Sequence, residues 1–502
     1  MSLYLQSFSD IIFLTNYERT VIMRISTINS GITVPAALAK TDKPYGEHNP
    51  ISSNIFFADP TAVEYNGRLY VYGTNDSQQF EVTQGQKPNH YGNINTLVCY
   101  STADMVNWTY ENTIKTTEIC KWAFCSWAPS ITSRVEADGK THFYLYFCNS
   151  GNGVGVMTST SPLGPWTDPK GSAVMNNEML GNDPVCWCFD PGVCVDGNGV
   201  GWLSFGGGMP QHPEAHGETP MFTGNCRIFK LSEDMTSIDS EVAKVKVPYH
   251  FEANELNFIN GKYVLTYCSN WADRDVWSDE YPCDAPHKCS MCYAVSDNPL
   301  DGESWEYKGE YLLNPDRFGY PGSNNHSHLH KFGDKYYIIY QNVSLIENMG
   351  ILAKHNDGYR SLNIDELAVD EATHTYADGR MTDAGVTQIK PLNPYELTNG
   401  TTSVYSAGVA YNGDFKACLK DGSVIALSSV DFGEGATEIA LNVCGKGTVE
   451  VRLDSENGEA AATVGFDTAE LAEVYAPITA SGIHDVYLVS GGEFILDSWI
   501  CR

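Results

Sequence analysis

A turn glycine followed by an aromatic-rich apolar run recurs five times in this chain, and the recurrence restricts the fold more than any other feature. The copies are Asn66-Gly67 into Leu69–Tyr72, Asp138-Gly139 into Phe143–Tyr146, and Asn198-Gly199 into Trp202–Phe205. Asn260-Gly261 into Tyr263–Tyr267 and Gly333-Asp334 into Tyr336–Tyr340 complete the set. Successive glycines stand 72, 60, 62 and 72 residues apart. Asn-Gly and Asp-Gly between apolar runs are hairpin turns, because the central turn residues need positive φ. Aromatic and β-branched residues after each turn suit a pleated strand. A second echo falls later in four copies, at Trp108, Trp166, Met235 and Trp305. A period of this length holds about four short strands, which is one propeller blade. The predicted fold is therefore all-β: a five-bladed β-propeller over residues 46–390, then a β-sandwich of jelly-roll type over 391–502, with 1–45 set aside as an N-terminal extension.

Charge narrows the partners. Lys and Arg total 31 against 62 Asp and Glu, a net charge of −31. A nucleic acid or an anionic membrane requires a basic face, so neither is expected. A neutral polysaccharide is compatible with this balance. Fifteen cysteines are an odd number, which argues against a secreted disulfide scaffold. Cys283, Cys289 and Cys292 are spaced like part of a zinc knuckle, but no fourth ligand follows at a suitable distance. The apolar stretch Ile11–Leu14 is too short for a secretory signal. The expected location is cytoplasmic, with secretion as the alternative.

The acidic residues are informative because of where they fall in the repeat. Asp59, Pro129, Asp190, Glu252 and His326 each lie seven to ten residues before their hairpin glycine. In a propeller the strand before that hairpin lines the central channel. Three carboxyls and one imidazole from separate blades then converge on one concave site. Such acids repel one another and lose solvent, which drives their pKa values apart. Hydrolysis of a glycosidic bond needs one protonated acid for the leaving oxygen and one carboxylate on the opposite face, and a third acid holds the donor's pKa up.

At these residues the sequence resembles glycoside hydrolase family 43. Ala58-Asp59-Pro60, Trp127-Ala128-Pro129, Phe189-Asp190-Pro191 with Asp196-Gly197, and Asn324-Asn325-His326 are similar to its blade motifs. The resemblance implies that Asp59 is the general base, Asp190 the residue that orients substrate and tunes the acid, and Glu252 the general acid. Ala253-Asn254 stands where the family commonly has Gly-Pro, and Glu255 competes for the acid role, although Glu252 keeps the phase. Gln341 stands where the family often has His. The implied reaction is single-step inversion, with the two carboxyls about 6.5–9.5 Å apart.

Substrate contacts are expected from Phe57, Trp127, His326 and Arg360, with Trp187 and Trp271 as further rings that sugar faces could stack on. Arg360 has an ion-pair role as its alternative. No cofactor is required. A calcium ion at the propeller axis, near His326, is the one metal the resemblance admits. After the linker at Lys390–Pro394, Asp431-Phe432-Gly433, Arg452-Leu453-Asp454 and Asp497-Ser498-Trp499 resemble carbohydrate-binding module family 6, as sugar binder or as buttress. Together these resemblances imply release of pentose from plant hemicellulose: an α-L-arabinofuranosidase on arabinoxylan or its oligosaccharides, with β-xylosidase or another xylan-active hydrolase as the alternative. A non-catalytic sugar-binding propeller is the reading from a different class.

Overall fold

The computed structural model describes residues 31–32, 43, 46–209, 218–349 and 358–502. Apart from Gly31, Ile32 and Lys43, the expected extension at 1–45 lies outside them. The five hairpins each open a separate antiparallel sheet, and together they form a five-bladed β-propeller. Their first two strands are Ala58–Tyr65 with Arg68–Thr74, Trp127–Val135 with Thr141–Cys148, and Gly192–Val195 with Gly201–Phe205. His250–Ile259 with Lys262–Ser269 and Ser327–Phe332 with Lys335–Asn342 follow. In the first and fourth turns both central residues have positive φ, at Asn66-Gly67 and Asn260-Gly261, as a tight twisted hairpin demands.

Each blade packs on the next through its own apolar cluster, and the second sequence echo fills these clusters. Trp166 lies between blades one and two, Met235 between two and three, and Trp305 between three and four. Trp108 lies between blades five and one. Phe57 belongs to that last cluster: it is fully buried and stacked on Tyr100 at 5.0 Å. This corrects the expectation that Phe57 meets substrate, since it has no face left to offer a sugar.

Two distant segments close the ring. Asn49 bonds by its side chain to the backbone of Ile364 in both directions, at 3.1 and 2.8 Å, and Ile51 donates to Leu362 O at 2.8 Å. The residues before blade one thus line the outer edge of blade five. From the other end, Thr402–Ser403 pairs with Trp108–Thr109 as an outer strand of blade one.

The C-terminal β-sandwich is one curled nine-stranded sheet rather than two separate ones. Its long strands Ala436–Leu453, Ala460–Ala480 and Ile483–Cys501 pair antiparallel with the first in the middle. Gly492, at φ 135°, lets the last strand bend; a Cβ there would stand 2.7 Å from Lys446 O. The core inside this curl, including Leu441, Val451, Leu488 and Trp499, is continuous with the cluster between blades five and one. Among the described residues, no helix is long and apolar enough to cross a membrane.

Truncating Phe57 to alanine would empty a closed aromatic site. We expect Phe57→Ala to lose about 3–5 kcal/mol of stability, read from urea unfolding of the whole chain. A loss under about 1 kcal/mol would mean that the ring is not core.

Candidate active site

The site forms where the first strand of each blade begins. There the backbone makes the same irregular step in four blades. Asp59, Ala128, Asp190 and Ala253 all have positive φ, at 53°, 36°, 47° and 59°. In blades one, two and four the ladder skips at this point, between Ala58 and Thr61, Trp127 and Ser130, and Glu252 and Glu255. A bulge with a left-handed residue costs strain, and such strain collects at functional sites. The bulge also leaves an N–H that cannot pair in its own sheet. Asp59 N donates to Gln341 Oε1 of blade five at 2.7 Å, Ala128 N to Thr74 Oγ1 of blade one at 2.7 Å, and Ala253 N to Asp190 Oδ2 of blade three at 2.8 Å. The preceding blade therefore supplies the partner in all three cases. Backbone equivalence also refines the phase: Ala253 matches Asp59, so Glu252 sits one residue earlier, in the place of Ala58 and Trp127.

Asp59 is buried among cationic and donor groups. Arg360 Nη1 donates to Oδ1 at 2.6 Å, His326 Nδ1 lies 3.3 Å from the same oxygen, and Thr74 Oγ1 donates to Oδ2 at 2.7 Å. Burial alone would raise its pKa, but Arg360, His326 and Thr74 overcome this and hold Asp59 ionised, well below the usual carboxylate range. His326 moves up in turn, because Asp59 outweighs the opposing effect of burial. Arg360 is in the ion pair expected as its alternative role, and it has a second partner. Asp76, fully buried, accepts from Arg360 Nε at 2.9 Å, Nη2 at 3.0 Å and the backbone N at 3.1 Å. The guanidinium lies 5.0 Å from the centre of the Tyr91 ring.

Glu252 has the opposite surroundings. Among the described residues, no hydrogen bond reaches its carboxyl. Burial first, then the charge of Asp190 and smaller contributions from Cys289 and Asp59, push it well above the usual range and so favour its protonated form. Asp190 stands between the two extremes. It is raised to about 6 by burial and by Asp59, against His326. Glu255 is a structural acid. It binds His328 Nδ1 at 2.7 Å and the Leu329 N–H at 3.1 and 3.2 Å, with Thr266 and Asn257 alongside. Asp196 also serves the fold, accepting from Trp202 Nε1 and Tyr263 OH across blades three and four.

The structure thus brings Asp59, Asp190, Glu252, His326 and Arg360 to one place. Trp127 joins them half-buried, its Nε1 bonded to Tyr91 O at 3.1 Å. Trp271 is 46% exposed on the loop after Ser269, one residue beyond Cys268, which pairs with Glu252 across the ladder of blade four. Among the described residues, no three His, Cys, Asp or Glu side chains are arranged to hold a metal. The sequence patterns do not single out Asp76 or Thr74, and mark Gln341 only as a departure from the family's His; the partners of these residues lie up to 284 residues away.

This arrangement can be set against known proteins. The model of "Glycosyl hydrolases family 43" matches residues 47–371. The chain belongs to glycoside hydrolase family 43. An arabinoxylan arabinofuranohydrolase of Paenibacillus polymyxa is 34% identical over 506 residues, 93% of this chain and 76% of that protein. One of Bacillus subtilis (strain 168) is also 34% identical, over 94% of this chain and 95% of its own length. A crystal structure of a family 43 arabinoxylan arabinofuranohydrolase from Bacillus subtilis, in complex with cellotetraose, superposes with a TM-score of 0.81. That match has 32% identity and covers 93% of this chain and 99% of that one. The chain is accordingly an inverting, cofactor-independent glycoside hydrolase acting on carbohydrate, built as a family 43 propeller with a C-terminal curled sheet.

The two neighbouring glutamates should separate in stability measurements. Glu252→Gln replaces a protonated, unbonded acid with a neutral isostere, so its melting temperature should equal or exceed that of the wild type. Glu255→Gln turns an amide NH2 toward donors and should cost about 1–3 kcal/mol. Thermal and urea unfolding of both variants check this; the reverse ranking would exchange the two roles.

Proposed function

We propose that this chain is an α-L-arabinofuranosidase that releases arabinose from arabinoxylan or its oligosaccharides. The observation that carries the mechanism is the divergence of two carboxyls in one buried cluster. Asp59 is held as a carboxylate by Arg360, His326 and Thr74, while Glu252 is held as an acid by burial and by Asp190. Environments that push paired acids apart mark the base and the acid. In this reading Asp59 takes a proton from water as the water attacks the anomeric carbon. Glu252 gives its proton to the departing oxygen, and the configuration inverts. Asp190 tunes Glu252 by charge and locates it through the bond from Ala253 N.

The choice of arabinofuranose is supported by the names of the two relatives that span nearly the whole chain. The half-buried Trp127 and the exposed Trp271 supply rings for the sugar or for the polymer backbone. The reaction uses no calcium: a cation beside His326 would compete with Arg360, which already neutralises Asp59, and calcium prefers six to eight oxygen ligands. We read residues 391–502 chiefly as a buttress, since they share a core with blades one and five. All fifteen cysteines are free thiols, which supports the cytoplasm as the place of action.

Wild type, Asp59→Asn and Glu252→Gln should be assayed on wheat arabinoxylan and on 4-nitrophenyl α-L-arabinofuranoside and β-D-xyloside. We expect arabinose as the main product, first appearing as the β-anomer by NMR, and a loss of at least about 1000-fold in either variant. Predominant turnover of the xyloside would favour a β-xylosidase, and binding without any turnover would favour a lectin-like propeller.

The pH profile gives a separate check. Asp190 raises Glu252 by like-charge repulsion, so removing that charge lowers the pKa of Glu252. In Asp190→Asn the alkaline limb of kcat/KM should therefore move to lower pH. An unmoved limb would detach Asp190 from the acid.

A further inference from the structure

We infer that Asp76 is a positioning residue for the hydrolytic water: it turns the fork of Arg360 away from Asp59, so that the base is charged but still open to water. The inference rests on the reading of Asp59 as the general base. It starts from an asymmetry in how Arg360 divides its donors.

A guanidinium and a lone buried carboxylate prefer a closed bidentate pair, with two parallel N–H bonds occupying both oxygens. Asp59 is not bound in that way. The Nε/Nη2 edge of Arg360, the edge suited to such a fork, is spent on Asp76 at 2.9 and 3.0 Å. The backbone N–H of Arg360 adds a third bond to the same carboxylate at 3.1 Å. Only Nη1 is left for Asp59, and it reaches one oxygen, Oδ1, at 2.6 Å. His326 Nδ1, 3.3 Å away, takes the other side of Oδ1, and on Oδ2 the single bond is from Thr74. The Thr74 hydroxyl has no freedom to do otherwise, since its oxygen accepts from Ala128 N and its proton must point to Asp59. Asp59 therefore keeps one lone pair, on Oδ2, that no protein donor occupies. A carboxylate needs such a site to take a proton from water.

Asp76 itself is removed from the chemistry. It is fully buried, at the start of the short helix Asp76–Thr83, and all of its bonds go to Arg360. Its hydrogen bonds reach the site only through that arginine, while its charge is also felt by Asp59. Removing it would free the fork edge to close on Asp59, covering the second oxygen and shifting the first. A change of this size near a reacting atom is worth about 100-fold in rate.

The test compares leaving groups in the full-length chain. 2,4-Dinitrophenyl α-L-arabinofuranoside departs without protonation, so it bypasses Glu252 but still needs Asp59 and its water. We expect Asp76→Asn to lower kcat about 100-fold on both this substrate and the 4-nitrophenyl glycoside, with KM within about threefold. Glu252→Gln, in contrast, should recover most of its rate on the dinitrophenyl substrate. Asp76→Glu keeps the charge and guards against a variant that fails to fold; its longer arm should leave a loss on both substrates smaller than that of Asp76→Asn. In an Arg360→Lys background, which has no fork, Asp76→Asn should cost no further rate. Wild-type kcat in both Asp76 variants, recovery on the dinitrophenyl substrate, or full additivity with Arg360→Lys would each overturn the inference. If wild type, Asp59→Asn and Glu252→Gln prove equally inert on every pentoside, the functional reading falls first and takes this inference with it.

Discussion

The left-handed bulge at the mouth of the propeller is the constraint on which the site depends. A strand that started regularly would alternate its side chains between the two neighbouring blades, both of which are apolar. The step at Asp59, Ala128, Asp190 and Ala253 breaks this alternation and aims the adjoining side chains at the axis. It also strips N–H groups of their ladder partners. Buried N–H groups must be satisfied, and here the preceding blade does so, through Gln341, Thr74 and Asp190. Two of those three partners are themselves bound to, or are, acids of the site. Backbone strain, interblade contact and chemistry are thus carried by the same few bonds.

That sharing explains how chemically similar carboxyls acquire opposite protonation states in a small volume. Position in the ring decides which neighbours each acid meets. Asp59, at the seam between blades five and one, meets Arg360 and His326, both contributed by blade five. Glu252, on blade four, meets Asp190 on one side and the thiols of Cys268 and Cys289 on the other. Desolvation is common to all of them and would by itself leave every acid neutral. Charge placed at one seam and withheld from the other produces the difference.

Much of this was legible in the sequence, because a propeller repeats its physics. The hairpins fixed the blade count, and Trp108, Trp166, Met235 and Trp305, noticed only as an echo, each fill a different space between blades. The acids fell near the same point of each repeat. The phase was less reliable at single-residue precision, since a bulge inserts a residue without any change of composition. Phe57 illustrates the point: two residues before Asp59, it belongs to the same face in a regular strand, but the left-handed backbone at Asp59 sends the two side chains to different places. Spacing favoured Glu252 over Glu255 without giving the reason; the bulge between them gives one an open carboxyl and the other a set of donors. The Asp76–Arg360 pair was invisible, because nothing local in a stretch such as Thr74-Asn75-Asp76 records a partner from the far side of the ring.

The way the ring is closed has a consequence for biogenesis. The seam between blades five and one is where Asp59 acquires Arg360 and His326, and its apolar cluster is completed by Leu441, Val451, Leu488 and Trp499, which follow all five blades in sequence. During vectorial synthesis the earlier blades can pack as they emerge. The seam waits for residues as late as Trp499. A nascent chain halted before them would carry four finished interblade cores and an unsealed fifth, with its nucleophile-activating carboxylate still apart from its counter-ion. Competence for hydrolysis would then arrive in one step, once the strand that carries Trp499 has been made.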